Sequence, residues 1–577
     1  MTWSQTYPEH LLHLLHAHQQ EHRYISDAAI LEIAERLQLP RAQVEAVVEF
    51  YAFFSRTPRG KFDLRFSTCS SCGDARLMQQ LCDLLHVSWH ETRADGRVSI
   101  SPTSCIGMCD HGASLLIHDR PLVALDAQRI EQIASFIETD TPLEQWPKTW
   151  FTVTSQNYRQ DILLSSDVGS GDALRAMEAM GAEVALSAIR EADLRGRGGA
   201  GFRTAMKWQF CREATGDAHY VICNADEGEP GTFKDRQLLT EHADALLEGM
   251  ALCGRVIAAK QGLIYLRGEY RYLLPHLEAR LAARRQSGLL GEAILGVDGF
   301  DFEISIVVGA GAYICGEESA LIESLEQKCG HPRIRPPFPV THGYLGQPTV
   351  VNNVETLIAA AYIVQHGAQS FLDRGTASSS GTKLLSISGD CARSGIYEYP
   401  FGVTLAEVLE ACGARDVQAV QVGGPSGVLL AADAFQRTIA FDDVATGGSL
   451  MIFDTSRDLL QVIQSFAHFF AHESCGFCTP CRVGTVLLQK GMDKICGGHG
   501  TAHDMAELSS MVTLVSERSH CGLGMTAANP IRDGMAHFPL LFNQRLSHQE
   551  MEPDFDLDGS LAEARKITGR DDAEAHL

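Results

Sequence analysis

Positive charge is scarce in this sequence: 48 lysines and arginines face 72 carboxylates, for a net charge of −24 at pH 7. A surface that acidic repels polyanions, so neither nucleic acid nor an anionic membrane is expected as a partner. No apolar run approaches the roughly 20 residues a helix needs to cross a bilayer, which excludes membrane insertion by a helix. The opening Met-Thr-Trp-Ser-Gln-Thr-Tyr-Pro-Glu-His lacks a basic segment followed by an apolar one, so no secretory signal is expected. Cysteine, by contrast, is plentiful. Seventeen in a long chain without such a signal point to metal or redox chemistry in a reducing compartment, not to a disulfide framework, and the expected location is cytoplasmic. With 45% apolar and 21% charged residues, the 577-residue chain has an ordinary globular composition. Its length suggests about three to five domains.

The densest signal is Arg-Gly-Arg-Gly-Gly-Ala-Gly-Phe at 195–202. Gly196, Gly198, Gly199 and Gly201 bare the backbone, so that its N–H groups can close on an anion. The spacing matches the dinucleotide fingerprint, but that fingerprint requires a preceding strand. Residues 173–194 instead show helical periodicity in Leu174, Met177, Met180, Val184, Leu186 and Ile189. A phosphate loop outside a Rossmann setting is the reading; a flexible linker is disfavoured because Phe202, Met206, Trp208 and Phe210 follow at once. Three more blocks come in order. An apolar strand at 220–231 delivers Asn224, Asp226, Glu227 and Glu229 to its end, where ligands gather in α/β folds. Residues 307–318 end in Glu317 and Glu318, and residues 350–356 read Val-Val-Asn-Asn-Val-Glu-Thr.

These four blocks together resemble the flavin subunit of respiratory complex I and its relatives, the NADH-oxidising module that holds FMN. The resemblance implies an FMN phosphate near Gly196, Gly198, Lys207, Asn352 and Asn353, with Gly199, Val351 and Thr356 in the same cofactor-binding set. It places Asn224, Asp226, Tyr313, Gly316 and Glu317 along the ribityl chain and ring edges. It also implies that Phe202, Phe210 and Phe338 line the adenine side of NAD(H), with Glu229 and Glu318 near the nicotinamide nucleotide. Carboxylates there would repel a 2′-phosphate and favour NAD over NADP. No side chain is expected to act as acid or base in hydride transfer, although Glu227 and Glu318 lie nearby.

Two sets of cysteines flank this region. Cys69-x2-Cys72 and Cys105-x3-Cys109 sit at the ends of elements in a small α/β stretch, and their spacing alone suits zinc or a [2Fe–2S] cluster equally. Helices are expected over 1–55, with Ser26-Asp27 as a cap and Phe50, Tyr51, Phe53 and Phe54 as core. A strand at 61–67, the first pair, a helix at 75–85 and the second pair follow. That order resembles the thioredoxin-like [2Fe–2S] subunit of complex I, except that the family has four residues inside the first pair where this chain has two. Cys82 reads as a buried core thiol. Further on, Cys475-x2-Cys478-x2-Cys481 has the ferredoxin-type spacing for three corners of a [4Fe–4S] cube, with zinc as the rival occupant. Cys521 supplies the fourth ligand, and Cys496 matches none.

The expected fold is α/β and α+β multidomain. Residues 1–145 form an N-terminal helical bundle plus a thioredoxin-like [2Fe–2S] domain, and 146–168 a linker. Residues 169–375 form the FMN- and NAD-binding α/β domain. Residues 376–455 look like a ubiquitin-like β-grasp domain, with nothing that suggests chemistry of its own. Residues 456–577 form a C-terminal helical bundle with [4Fe–4S], then an acidic tail holding Asp554, Asp556, Asp558, Asp571 and Asp572. One chain carrying both units resembles the diaphorase subunit of cytoplasmic NAD-reducing nickel–iron hydrogenases. That resemblance implies a converter between two-electron NAD(H) chemistry and one-electron iron–sulfur chemistry. It also implies a ferredoxin-like iron–sulfur subunit and a hydrogenase module as partners. NAD-dependent formate dehydrogenase and a fused complex I NADH dehydrogenase subunit are the alternatives. A redox-inert assembly subunit is the alternative of another class, and the intact ligand sets argue against it.

Overall fold

The computed structural model describes residues 10–549 and 557–571, so that Asp554, Asp556 and Asp572 of the acidic tail lie outside the described residues. The chain begins with helices Leu11–His22, Asp27–Leu37 and Arg41–Phe50. Ser26 caps the second, its Oγ accepting from Ala29 N at 3.2 Å. Apolar residues at helical spacing (Ile30, Ile33, Ala34; Val44, Val47, Val48) give each helix one buried stripe. That stripe continues into the core of the flavin-type unit. Tyr51 OH donates to Ser324 Oγ at 2.6 Å, and Phe53 N donates to Ala310 O at 3.0 Å. The aromatic cluster around Tyr51 is core, and it is the seam between two units.

A five-stranded sheet follows, in the order Glu91–Thr92, Val98–Thr103, Phe62–Ser67, Leu115–Ile117, Arg120–Leu122. Its central strand runs parallel to Val98–Thr103 and antiparallel to Leu115–Ile117. Helices Ala75–Leu85 and Ala127–Glu138 bury Met78, Leu81, Cys82, Ile130 and Ile133 in the same core as the sheet. Asp74 and Asp126 accept from the first-turn amides of these helices, which fixes where each one starts.

The third unit is built on four parallel strands in the order Thr349–Asn353, Tyr220–Ala225, Gln261–Leu266, Glu303–Val308. Their near-continuous apolar sequences suit a sheet covered on both faces. Helices Ala243–Ile257 and Val354–His366 are buried along almost their whole length. The glycine loop is preceded by helices Asp172–Met180 and Ala182–Glu191, broken at Gly181, and no strand leads into it. Registers Asn353–Asn224 and Asn224–Tyr265 align the carboxyl ends of the strands, so the loops leaving them share one crevice.

A six-stranded mixed sheet comes next, ordered Val428–Ala431, Val417–Val422, Ser449–Asp454, Thr382–Gly389, Gly395–Pro400, Asn157–Arg159. Helix Leu405–Cys412 packs with it, started by a reciprocal Thr404–Glu407 capping box. The sixth strand belongs to the proline-rich stretch that reads as linker. Asn157 and Arg159 pair with Ile396 and Tyr397, and Glu398 accepts from the amides of Asp161, Leu163 and Leu164 at 2.8–2.9 Å. Trp146, 2% exposed, closes the core of the first sheet. The chain then turns helical, through Leu459–Glu473, Thr479–Cys496 and Ala502–Arg518.

Candidate functional site

A cavity of about 470 Å³ lies where the glycine loop meets the carboxyl ends of the parallel strands. Gly198, Gly199, Asn224, Asp226, Glu227, Glu229, Tyr313, Gly316, Glu317 and Asn353 line it, all of them read from the sequence. The size suits a cofactor-sized ligand. Its glycines are needed for space: a Cβ on Gly198 would stand 3.2 Å from Asn353 Cβ, and one on Gly316 3.3 Å from Asp226 O. Gly199, at φ 129°, holds a conformation that residues with a side chain rarely adopt.

Beneath the loop lie buried Arg197, Lys234 and Lys383 with two carboxylates, Asp235 and Glu355. Lys234 Nζ reaches Asp235 Oδ1 at 2.6 Å and a Glu355 oxygen at 3.1 Å, and Lys383 pairs with Glu355. Burial pushes Lys383 down to about 7 and Arg197 down to about 10, although Glu355 opposes both shifts. Cationic side chains lie directly under a bare backbone loop, and Arg197 Nε and Nη1 are buried without a partner, an arrangement that favours a bound phosphate. Asp226 Oδ2 is buried and without a partner, and burial holds that carboxyl well above its usual range. It calls for a donor from a ligand. Both observations fit FMN, whose phosphate and polar ring edge these residues would hold.

The carboxylates differ in what they do. Glu227 spends its oxygens on Asp235 N at 2.8 Å, Arg236 N at 3.1 Å and Tyr270 OH at 2.8 Å, and burial pushes it up to about 7. It anchors the start of helix Lys234–Glu241. Glu229 accepts from Ser426 N at 2.9 Å and from Tyr313 OH, and burial raises it to about 6. Glu317 caps helix Glu318–Leu325 through Ser319 N and Ala320 N.

The remaining sequence candidates stand behind or beside the wall. Lys207 Nζ donates to Glu318 Oε2 at 2.9 Å and to Val351 O at 3.1 Å. Asn352 Oδ1 accepts from Trp208 Nε1 at 2.8 Å, Gly196 N donates to Phe202 O at 2.9 Å, and Thr356 Oγ1 accepts from Arg197 N at 2.8 Å. Phe202, Phe210 and Phe338 are about half exposed, at 49%, 44% and 51%, outside the cavity wall. Helix Pro339–His342, which starts just after Phe338, packs on helix Thr204–Glu213, which carries Phe210 and Lys207.

Sequence reading missed Lys234 and Asp235 and a whole wall made by Gly423, Ser426, Gly427, Thr446 and Gly447. The sheet of residues 376–455, read as free of chemistry, contributes that wall. Its signal was the Gly423-Gly424-Pro425-Ser426-Gly427 run, where the turn presents Ser426 N to Glu229.

The cysteines converge as two sets. The sulfurs of Cys69, Cys72 and Cys109 lie within 4.8 Å of one another, and Cys105 Sγ is 3.1 Å from Cys109 Sγ. The two-residue spacing works because the chain turns tightly, with Gly73 N donating to Cys69 O at 2.6 Å. Four thiolates around one point fit a [2Fe–2S] cluster or a zinc ion. Cys475, Cys478, Cys481 and Cys521 line one small cavity with Ile314 and Leu523, a donor set that fits a [4Fe–4S] cube. Cys496 lies apart, its sulfur directed to Leu460 O. Glu473 joins all three places: it accepts from Ser104 Oγ beside Cys105 at 2.5 Å and from Tyr313 N of the main cavity at 3.0 Å, two residues before Cys475.

Three families match in the same order along the chain. They are the thioredoxin-like [2Fe-2S] ferredoxin over residues 1–138, the Nuo51 FMN-binding domain over 189–362, and the NADH-ubiquinone oxidoreductase-F iron-sulfur binding region over 461–545. The NAD-reducing hydrogenase HoxS subunit alpha of Cupriavidus necator is 41% identical over 96% of this chain and 94% of its own length. An NADH-quinone oxidoreductase subunit of Rhizobium meliloti is 39% identical over 65% of this chain and 95% of its own. The crystal structure of NAD+-reducing [NiFe]-hydrogenase in the H2-reduced state superposes with a TM-score of 0.92 at 44% identity, covering 98% of each chain. No helix among the described residues is long and apolar enough to cross a membrane.

Proposed function

The chain belongs to the family of NAD-reducing hydrogenase alpha subunits, and on that premise we propose that it is the diaphorase arm of a hydrogenase complex. In this reading it exchanges electrons between NAD(H) and a partner nickel–iron hydrogenase, in the direction of NAD+ reduction. Its cofactors are FMN, [2Fe–2S] and [4Fe–4S]. FMN, when bound, supplies two-electron exchange with a nicotinamide and one-electron exchange with iron–sulfur centres.

The observation that carries the proposal is one glycine-walled cavity flanked by two four-cysteine sets and tied to both through Glu473. The chain's own residues do the placing. The Gly198–Gly199 backbone and the cations below it hold a phosphate; Asn224, Asp226 and Gly316 take the polar edge of the cofactor. Phe202, Phe210 and Phe338 offer exposed rings for an adenine. Glu229 and Glu318, if they flank the dinucleotide, would disfavour a 2′-phosphate by like-charge repulsion and favour NAD over NADP. No side chain in the cavity needs to move a proton. Cys69, Cys72, Cys105 and Cys109 hold the [2Fe–2S] cluster, and Cys475, Cys478, Cys481 and Cys521 the [4Fe–4S] cluster. A ferredoxin-like iron–sulfur subunit and the hydrogenase module complete a cytoplasmic assembly.

Identifying the subunits that co-purify with the chain tests this reading. A nickel–iron pair, together with hydrogen-dependent reduction of NAD+, is the expected result. A molybdenum subunit would assign the chain to a formate dehydrogenase, and a colourless protein without flavin would make it a scaffold.

A further inference from the structure

We propose that a second cavity, remote from the glycine loop, is a binding site for a small phosphate-bearing anion. It measures about 340 Å³ and lies at the seam of the N-terminal helices, the five-stranded sheet and the flavin-type unit. Arg23, Arg59, Lys61, Arg65, Arg120 and Arg271 line it. Six cations around one hollow run against a chain whose net charge is −24.

Half of that charge is already answered. Arg65 pairs with Asp63 at 3.3 Å, Arg271 with Asp119 at 3.0 Å, and Lys61 with Asp140 at 2.7 Å. Arg23, Arg59 and Arg120 form no side-chain hydrogen bond or ion pair among the described residues; Arg120 only faces the Phe151 ring at 5.9 Å. Arg59 Nε is buried with no partner, and burial lowers the guanidinium below its ordinary range. Arg59 has only the field of Asp63, a carboxylate already paired with Arg65. A largely desolvated guanidinium that shares one carboxylate is costly to the fold, and an anion entering from outside lowers that cost.

The donor chemistry narrows the ligand. Guanidinium groups present paired N–H donors that match the oxygens of phosphate, and three arginines without a direct ion pair match a ligand of two or three negative charges. The volume is that of a ligand pocket and exceeds what a lone oxyanion fills. The floor is buried and preformed: Phe53, Asp63 and Arg65 are 7%, 7% and 8% exposed, and the Arg65 guanidinium stacks 4.2 Å from the Phe53 ring centroid. A diphosphate, free or as the end of a nucleotide, satisfies charge and size together.

The test uses the purified holoenzyme with FMN bound, held without oxygen or hydrogen and saturated with NAD+ so that the dinucleotide site is filled. Calorimetry with inorganic pyrophosphate and with ADP should each show one site per chain, weakened several-fold on raising NaCl from about 0.05 to about 0.5 M. The double variant Arg59→Gln/Arg120→Gln should bind at least about tenfold more weakly while its NADH oxidation stays unchanged, which controls for folding. Equal affinity for the two probes assigns recognition to the phosphates alone; about tenfold tighter ADP adds a contact to the nucleoside. The proposal is overturned if neither probe binds the holoenzyme, or if the double variant binds like the parent. Binding to the isolated chain but not to the holoenzyme would also overturn it, since a partner subunit would then fill the cavity.

Discussion

At position 198 a side chain has little room, because Asn353 Cβ would already stand 3.2 Å from the first added carbon and a branched side chain would crowd it further. Gly198→Val therefore pushes the loop off the cations beneath it. The expected product is folded and FMN-free with both iron–sulfur signals retained, as read by released flavin and electron paramagnetic resonance. Stoichiometric FMN in that variant would sink the phosphate-loop reading. Glu229 makes a different prediction. Burial raises its carboxyl from 4.5 to about 6, so between those values the native state binds more protons than the unfolded chain. The wild type therefore loses stability on this account as pH rises through 6 and regains it as pH falls. Glu229→Gln never buries that charge. Its thermal midpoint should gain on the wild type at pH 7.5, by the equivalent of at most about 2 kcal/mol, and lose most of that gain by pH 5. A difference independent of pH would mean that the Glu229 carboxyl is not desolvated. At this scale the sequence was legible wherever a residue belonged to a contiguous motif, as with Asn224, Asp226 and Asn353. It was silent on Ser426, whose backbone N–H does the work and whose place at Glu229 depends on a sheet folded from elsewhere.

Elements with strong local signals sit where periodicity and caps place them: helix Ala75–Leu85 after Asp74, helix Leu405–Cys412 after Thr404, and helix Leu459–Glu473 on its aromatic stripe. The strand Asn157–Arg159 was not legible because its stability is non-local. It has three residues, two of them exposed, and a carboxylate far along the chain holds the segment after it. Glu398→Ala should strip the partners from three amides and Thr382 Oγ1, destabilising this edge by about 1–3 kcal/mol and raising hydrogen exchange at Leu163 and Leu164. Unchanged exchange there would refute that account. The helix Thr479–Cys496 carries a functional prediction, since Cys478 is its N-cap and Cys481 lies in its first turn. Cys478→Ser should abolish the [4Fe–4S] signal and leave FMN bound and reducible by NADH, with transfer to the partner lost. An unaltered [4Fe–4S] spectrum in the reduced variant would show the ligand assignment to be wrong.

For the whole molecule, the order of units along the chain was legible and the way they close on one another was not. Motifs report a unit's own chemistry, whereas the units close on one another through a shared apolar core and scattered polar side chains with no pattern around them. Glu473 is the clearest of these. Its two oxygens accept from Ser104 Oγ at 2.5 Å and Tyr313 N at 3.0 Å, so one carboxylate spans the first cysteine set, the main cavity and the loop that opens the second set. The Tyr313 hydroxyl in turn donates to Glu229, which carries the restraint into the cavity wall. Removing the carboxylate leaves a backbone donor and a hydroxyl without partners at the meeting point of three units, a loss of about 1–3 kcal/mol confined to that junction. Glu473→Ala should therefore keep FMN and enough iron and sulfide for one [2Fe–2S] and one [4Fe–4S] per chain. NADH should still reduce the flavin. Hydrogen exchange should rise at Tyr313 and around Ser104, while the core strand Tyr220–Ala225 stays protected. Glu473→Gln, which keeps acceptors for one of the two bonds, should fall between. If Tyr313 exchanges at the wild-type rate in the alanine variant, the carboxylate is a bystander and the units are held by their other contacts, the apolar seam around Tyr51 and the buried Arg236–Asp110 pair among them.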